Sequence, residues 1–372
     1  MLQQRLNSFR KILTERQIDA FLVSSFYNIL YLTGFKTLVD NERESWALVT
    51  KKDLYVFTDS RYASGKSDNY TLKIIGPEKG LIRWLQEIVE DEKIKTFGVE
   101  ADDLKLGEWE KLRQYLEVQF VKTEKIIAKE RAIKDKEEIE KVSEACRIAD
   151  KCLEETLRLI KVGKSEKEIA FKMEFWLKEK GYDLAFDPIV AVDENSSLMH
   201  YDTKSGNDKK IKNGSVILID FGAKYEGYMS DITRMFFVGH QDDKVIDTYK
   251  NLLDVQKKTI SQMATLDRSG NKDSQAMLKN IDLFCRNALT NDYSLPNFSH
   301  STGHGVGLEV HEFPKISLYS EDLALPGQIV TIEPGVYLPG KWGMRIEDTI
   351  LIKENFVEVL TKFNNQILQI SK

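Results

Sequence analysis

The chain has 372 residues, of which 42% are hydrophobic and 30% are charged, and its formal net charge is −5. This length allows two domains, and the composition is that of a folded globular protein rather than a disordered one. The mildly acidic charge argues against nucleic acid or an anionic membrane as the main partner. Neither a secretory leader nor a membrane span is visible, and the three cysteines form no CxxC pair, so we expect a cytoplasmic protein.

The first part of the chain alternates helical and strand-like patterns. The helical patterns are amphipathic, whereas the strand-like runs are short and apolar. In chain order these segments are LNSFRKILTERQI (6–18), WALVT (46–50), DLYVFTDSRY (53–62), GLIRWLQEIVEDEK (80–93) and TFGVE (96–100). This alternation predicts an α/β domain over residues 1–125, followed by a second domain over residues 126–372.

The second domain separates its helices from its strands. Apolar residues recur every three or four positions over residues 139–160, which predicts a long helix. Another helix is expected to begin near Ser165, because Glu168 three residues later completes a capping box. Residues 187–240 are strand-like, residues 241–293 are mainly helical, and strands dominate again toward the C-terminus. This order predicts an α+β fold.

Two acidic pairs interrupt apolar, strand-like runs of the second domain, where Asp and Glu are normally disfavoured. One hairpin, centred between residues 225 and 226, would place Asp220 directly opposite Asp231. The other hairpin, centred on Gly340, would place Glu333 opposite Glu347, because each lies seven residues from that glycine. Ionised carboxylates that face each other across a hairpin repel unless a cation lies between them. Together the two pairs therefore predict a cation site.

A simpler alternative is that individual carboxylates are surface residues or members of ion pairs. Arg345, which lies two residues before Glu347 on the same strand face, is a candidate ion-pair partner. This alternative explains one carboxylate more easily than four, because each lies beside an apolar strand and no lysine is adjacent to either aspartate.

The histidines narrow the choice of cation. His300, His304 and His311, three of only five histidines in the chain, lie within twelve residues of one another. Glycines flank His304, so its backbone can approach a ligand closely. The segment matches neither GxGxxG nor HExxH, which argues against a nucleotide loop and a zinc helix of that type. Four carboxylates with one imidazole favour ions such as Mn²⁺ and balance two divalent charges, a combination suited to hydrolysis of an amide, ester or phosphate bond.

Four segments, in this order, resemble the pita-bread metallopeptidases, which include methionine aminopeptidase, prolidase and aminopeptidase P. These segments are DFGAKYEGYMSDITR, HSTGHGVGLEVHEFP, TIEPGVY and MRIED. FDPIVAVDENSSLMHY is similar to the family's segment before the first aspartate. YLTGF and TDSRY resemble the N-terminal domain of creatinase and the Xaa-Pro peptidases. The resemblance covers nearly the whole chain and implies a C-terminal pita-bread fold preceded by a smaller creatinase-type α/β domain.

The resemblance also implies a set of metal ligands, which are Asp220, Asp231, His304, Glu333 and Glu347. Asp231 and Glu347 are expected to bridge two metal ions. Glu333 is expected to act in addition as the general base. Mn²⁺ is the expected ion, with Co²⁺ or Zn²⁺ as alternatives.

Further site residues are implied outside the ligand set. His200 and His311 match the family's substrate-facing histidines, which hydrogen-bond the scissile carbonyl and stabilise the tetrahedral intermediate. His300 matches another active-site histidine of aminopeptidase P and prolidase. Arg345 matches an arginine that supports the site, and Tyr337 follows the glutamate at the family's usual offset.

The chain departs from the family pattern at two places. Met199 replaces the proline that usually precedes the first substrate-facing histidine, which could alter the loop that carries His200. The polar stretch over residues 264–282 is unlike the family's usual helix connection, and we expect a structural variation there rather than a site. His240 has no counterpart and is expected to be a surface residue.

The leading functional hypothesis is a dinuclear-metal exopeptidase of the aminopeptidase P type, which would hydrolyse N-terminal Xaa-Pro bonds through a metal-bridging hydroxide. An Xaa-Pro dipeptidase, or prolidase, is the alternative within the same class. A metal-free, creatinase-like hydrolase and a non-catalytic binding protein on this fold are more remote, because they predict lost ligands and all five are intact. The resemblance implies proline-containing peptides as substrates and a homodimer.

Overall fold

The computed structural model describes residues 2–39, 42–62, 67–266 and 277–370. Contacts between residues divide the chain into two compact units, Met1–Arg131 and Ala132–Lys372. Within the described residues, none of the helices combines the length and the apolar character that crossing a membrane requires.

The first unit is built around a mixed six-stranded sheet, with strand order β4-β3-β2-β1-β5-β6. Its strands are β1 (Ala20–Val23), β2 (Ser45–Thr50), β3 (Leu54–Thr58), β4 (Thr71–Ile74), β5 (Thr96–Glu100) and β6 (Gln119–Thr123). Its helices are α1 (Leu2–Glu15), α2 (Phe26–Thr33), α3 (Leu81–Asp91) and α4 (Leu106–Tyr115), with α5 (Ile126–Ala132) at its end. Antiparallel pairing joins β1 to β2 and β2 to β3, whereas the remaining neighbours are parallel. The predicted α/β character of this part is confirmed.

The second unit begins with two capped helices, α6 (Lys136–Leu157) and α7 (Glu166–Glu179). The predicted capping box at Ser165 and Glu168 is present, and Asp135 and Glu138 form an equivalent one at the start of α6. Each box satisfies backbone N–H groups that the first helical turn leaves without a partner. Two further helices, α8 (Asp243–Ala264) and α9 (Leu278–Asn287), follow later in the chain. Within the polar stretch over residues 264–282, residues 267–276 lie outside the described part of the chain.

Strands of the second unit fall into two blocks that alternate with the helices. The first block contains β7 (Asp183–Leu184), β8 (Ile189–Val192), β9 (Val216–Phe221), β10 (Ala223–Tyr225), β11 (Tyr228–Met229) and β12 (Ile232–Val238). The second contains β13 (Gly303–Gly305), β14 (Glu312–Ile316), β15 (Ile329–Ile332), β16 (Gly335–Leu338), β17 (Trp342–Arg345), β18 (Asp348–Ile352), β19 (Val357–Val359) and β20 (Leu368–Ile370). The larger sheets have the orders β20-β12-β9-β8 and β14-β13-β15-β18-β19. This arrangement confirms the predicted α+β fold.

The predicted register of the first acidic hairpin was wrong by two residues. Asp220 on β9 lies opposite Thr233 on β12 rather than opposite Asp231. The chain turns at Glu226 and Gly227, whose φ angles are 47° and 90°, as expected for a two-residue hairpin turn with both central residues left-handed. A slip of two residues keeps the side chains on the predicted face, so both aspartates still point the same way.

The register of the second acidic hairpin agrees with the prediction. Ile332 pairs with Asp348 and Gly335 pairs with Arg345, so the strands keep the same alignment on both sides of the two glutamates. Gly340, at the centre of the hairpin, has a φ of 72° and supplies the left-handed conformation of the turn. This alignment places Glu333 and Glu347 across from each other.

Candidate metal centre

The four predicted carboxylate ligands lie at or beside the ends of strands. Asp220 is the penultimate residue of β9, and Asp231 immediately precedes β12. Glu333 directly follows β15, and Glu347 directly precedes β18. His304 is the central residue of β13. Because the strand ends converge, carboxylates from two sheets meet beside one imidazole.

Ligand atoms of these residues lie close enough together to share metal ions. Three overlapping groups have all their ligand atoms within 4.8 Å of one another, namely Asp231 with His304 and His311, His304 with Glu333 and Glu347, and Asp220 with Asp231 and Glu347. His304 Nε2 is 3.6 Å from Asp231 Oδ2 and 3.4 Å from Glu333 Oε1. The structure therefore brings all five predicted ligands into one centre.

Two buried carboxylate oxygens in this centre have no hydrogen-bond partner, Oδ1 of Asp220 and Oδ1 of Asp231. A buried carboxylate oxygen without a partner is unfavourable unless a cation binds it. His304 donates from Nδ1 to the carbonyl of Gly305 at 3.1 Å, which leaves Nε2 available as an acceptor. Burial lowers the pKa of His304 to about 3, and the nearby His311 contributes, so the ring is neutral as a ligand requires. These atoms fit divalent metal ions.

Repulsion among the carboxylates also indicates a cation site. Burial raises the pKa of Asp231 far above its usual range, and the charges of Glu347 and Asp220 add to this effect. Burial, with the charge of Glu333, raises the pKa of Glu347 in the same way. Burial also raises the pKa of Glu333 to about 7. The centre therefore holds more negative charge than the protein alone stabilises.

Threonine hydroxyls hold the ligands in place. Thr233 Oγ1 donates to Glu347 Oε2 at 2.7 Å, and Thr349 Oγ1 donates to the backbone carbonyl of Asp231 at 2.7 Å. Each threonine lies two residues after a ligand in sequence, so it projects from the same strand face. We did not predict either residue, although the motifs DIT and EDT carry this two-residue spacing.

The glycines beside His304 serve strand packing. A Cβ atom at Gly303 would lie 1.9 Å from the carbonyl oxygen of Thr331, and one at Gly305 would lie 2.4 Å from that of Phe313. No real side chain tolerates such distances, so glycine lets the strands on either side of β13 close on the histidine backbone. We expected these glycines to let the backbone approach a ligand. In the structure they instead let it approach neighbouring strands.

Arg345 neutralises part of the centre. Its guanidinium forms an ion pair with Asp220, not with Glu347 as the same-face spacing suggested. Nε donates to Thr233 Oγ1 at 3.1 Å and Nη1 donates to the Tyr337 hydroxyl at 2.9 Å. Asp220 belongs to a different strand block, so sequence spacing along one strand could not reveal this pair.

His300 belongs to a hydrogen-bonded chain with Tyr337. Its Nδ1 lies 2.7 Å from the carbonyl oxygen of Ser301, and its Nε2 lies 3.0 Å from the Tyr337 hydroxyl. The ring also stacks on Phe298, with ring centroids 4.6 Å apart. Burial, with the charge of Arg345, lowers the pKa of His300 to about 3, so the ring is neutral and accepts at Nε2. Both ring nitrogens are thereby engaged.

The ligands open into a cavity of about 530 Å³. His200 and His311 line it, and both side chains are exposed. Lys315, which we did not predict, also lines the cavity, and its ammonium makes no ion pair or hydrogen bond with the described residues. Met199 borders the cavity, and its carbonyl accepts from Arg345 at 3.4 Å, so the loop before His200 is tied to the site. His240 lies on the surface, outside this cavity, as expected.

Known families match both parts of the chain. Metallopeptidase family M24 matches residues 140–354, and the creatinase/prolidase N-terminal domain matches residues 5–133. An Xaa-Pro dipeptidase of Pyrococcus horikoshii is 33% identical over 372 residues, which cover 99% of either chain.

Solved structures show similarity over the full length. An Xaa-Pro dipeptidase from Bacillus anthracis has a TM-score of 0.88 at 31% identity, and the match covers 100% of both chains. An X-Pro aminopeptidase from Thermotoga maritima has a TM-score of 0.83 at 32% identity, with 96% of this chain and 99% of that chain covered. The fold is therefore that of solved Xaa-Pro peptidases.

Proposed function

This chain belongs to metallopeptidase family M24 and is a metallo-exopeptidase, and we propose that it hydrolyses Xaa-Pro dipeptides. The sequence favoured an aminopeptidase, with the dipeptidase as the alternative. Relatives and solved structures named as dipeptidases or prolidases support the alternative better. The observation that carries the metal-dependent chemistry is the convergence of five ligand side chains around two partnerless carboxylate oxygens.

We further propose that the centre holds two divalent ions, with Mn²⁺ as the preferred one. Membership of the family implies the use of divalent metal. Four carboxylates would be balanced by two such ions, and an oxygen-rich set with a single imidazole suits Mn²⁺. The ligands would be Asp220, Asp231, His304, Glu333 and Glu347. A single ion together with Arg345 would still leave one of the four negative charges without compensation.

When bound, the metal pair supplies Lewis-acid activation of the substrate carbonyl and of water. Around that chemistry, the carboxylate of Glu333, 3.4 Å from His304 at the centre, would accept the proton released from water. His200 and His311 line the cavity on the exposed side, where they donate hydrogen bonds to the scissile carbonyl. His300 orients Tyr337 and, through it, Arg345.

Lys315 supports the choice of a dipeptide substrate. A dipeptide presents a free carboxylate immediately after proline, whereas a longer peptide presents an amide there. The unpaired ammonium of Lys315 at the cavity is suited to bind that carboxylate. Selectivity of this kind arises because a charged group without its partner binds a neutral substrate poorly.

The remaining features stay predictions. They are proline-containing peptides as natural substrates, a homodimer, a cytoplasmic location and a boundary between domains at residue 125. A pairing of two subunits would provide the steric block that restricts a dipeptidase to short substrates.

The deciding experiment compares an Xaa-Pro dipeptide with the matching Xaa-Pro-Xaa tripeptide, in the presence of Mn²⁺ and after chelation. We expect the dipeptide to be preferred by roughly tenfold or more in kcat/KM and chelation to abolish both rates. Preference for the tripeptide would instead support the aminopeptidase hypothesis. Full activity after exhaustive chelation would overturn the metal-dependent function altogether.

A further inference from the structure

Arg234, on β12, is a fully buried arginine with 1% of its surface exposed. Its Nη2 lies 2.6 Å from Oδ1 of Asp348, on β18, and that carboxylate is buried as well. Removing two charges from water is unfavourable even when they pair, so such a pair stabilises a fold weakly at best. Asp348 lies one residue after Glu347, and Arg234 lies three residues after Asp231. We therefore looked for a role of this pair at the metal centre rather than in stability.

The guanidinium has no spare donor. An arginine offers five N–H groups, and all five are used here. Nε and Nη2 donate to the carbonyl of Phe363 at 3.1 and 2.9 Å. Nη1 donates to the carbonyls of Thr233 and Glu347 at 3.0 and 2.5 Å. The fifth N–H group goes to Asp348.

Asp348 is held from two further directions. Thr361 Oγ1 donates to its Oδ1 at 2.7 Å, and Gln256 Nε2 donates to its Oδ2 at 2.7 Å. Gln256 lies on α8 and Thr361 follows β19, so separate elements fix the carboxylate that orients Arg234. The geometry of the ion pair is thus set by the surrounding core.

This network lies where two sheets meet. β12 and β18 belong to different sheets, and an isolated bridge joins them between Thr233 and Glu347. The bonds from Arg234 to both of these backbone carbonyls fix the two strands at this crossing. Asp231 precedes β12 and the Glu347 side chain leaves from the bridge itself, so the separation of the strands decides how these two carboxylates face each other.

We propose that Arg234 and Asp348 form a positioning pair that holds the carboxylates of Asp231 and Glu347 facing each other before metal binds. This inference rests on the metal centre of the proposed function. Without metal the two carboxylates repel, which pushes apart strands that one backbone bridge and the bonds of Thr233 and Thr349 join. The positioning pair resists that movement, so less rearrangement is needed when the ions bind.

The test uses Arg234→Lys and Asp348→Asn, which keep much of the side-chain volume. Glu358→Gln is the control, because it breaks the exposed Lys353–Glu358 pair near the far end of β18. Calorimetric titration of metal-free protein with Mn²⁺ gives the Kd, and urea unfolding in chelator gives the stability without metal. We expect both positioning-pair variants to raise the Kd by about 10- to 100-fold, while the control leaves it unchanged.

Each result decides the matter. Lower metal-free stability with an unchanged Kd in the folded protein would make the pair structural only, and the proposed function would stand. Failure of the wild type to bind Mn²⁺ would overturn both proposals. If neither variant folds, Gln256→Met removes a single bond to Asp348. We expect it to raise the Kd by a smaller factor, and no change would overturn the inference.

Discussion

The guanidinium of Arg345 forms a buried ion pair with the carboxylate of Asp220, within the cluster of acidic ligands. Arg345 also donates to Thr233 and Tyr337, so one side chain orients a ligand and two neighbouring hydroxyls. We predict that Arg345→Met lowers kcat by roughly 10- to 100-fold, because residues that orient metal ligands contribute on that scale. Steady-state kinetics at saturating Mn²⁺ measure this loss.

Arg345→Lys is the matched comparison for that variant. A lysine keeps the charge beside Asp220 but lacks the planar guanidinium that reaches Thr233 and Tyr337 together. We expect its rate to fall between those of the wild type and Arg345→Met. Equal rates for the two variants would mean that charge at this position is irrelevant.

Asp231 is predicted to be indispensable to both metal ions. It is buried, one of its oxygens has no partner, and its neighbours include Glu347 and Asp220. Asp231→Asn keeps the shape but removes the charge, so we expect loss of tight Mn²⁺ binding at both sites and of nearly all activity. Metal analysis after gel filtration measures the content, with Asp247→Asn, at an exposed position of α8, as the control. Wild-type metal content and rate in Asp231→Asn would refute the ligand assignment.

Lys315 is predicted to select substrates by their carboxylate. We expect Lys315→Met to raise KM for an Xaa-Pro dipeptide by roughly tenfold, because it removes one charge-assisted contact. The corresponding Xaa-Pro amide has no carboxylate, so its KM should be the same for variant and wild type. Lys341→Met removes an exposed lysine outside the cavity and serves as the control. Equal losses on dipeptide and amide would assign Lys315 to general structure.

Strand periodicity accounts for what the sequence could reveal about the centre. Alternation on strands placed Glu333 opposite Glu347, because Gly340 marks the turn with a residue that readily adopts a positive φ. The first hairpin was shifted because Glu226, an ordinary residue, also adopts a left-handed conformation there. A turn of that kind is not apparent from composition.

Contacts between sheets were beyond such reasoning. Arg345 binds Asp220, and Arg234 binds the carbonyl of Glu347, in each case across strand blocks that are more than a hundred residues apart in the chain. Periodicity reports which face a side chain occupies on its own strand, but not which strand of another sheet it meets. Family resemblance supplied the ligand set, whereas the supporting network required coordinates.

Glu100, at the end of β5, provides a prediction about pH that is independent of the metal centre. It accepts hydrogen bonds from the amides of Ser24 and Ser25 and from Asn28 Nδ2, at 2.6, 2.8 and 2.6 Å. Burial nevertheless raises its pKa from 4.5 to about 7. The folded state therefore binds this proton more tightly than the unfolded chain does, so the group's contribution to stability is full below about pH 4.5 and is lost as the pH rises through 7.

A difference measurement isolates Glu100 from the titrating metal ligands. Between pH 4.5 and 8 its ionisation should lower the free energy of unfolding by about 3 kcal/mol, whereas Glu100→Gln has no charge to lose. We expect urea unfolding curves of the full chain to show the variant gaining that amount relative to the wild type over this range. Trp46, Trp84 and Trp109 lie in the first unit, whereas Trp176 and Trp342 lie in the second, so fluorescence follows both units and the comparison with the variant assigns the change to Glu100. Glu78→Gln, at an exposed site, should follow the wild type at every pH, and a constant difference between Glu100→Gln and the wild type would show that the folded protein keeps Glu100 ionised.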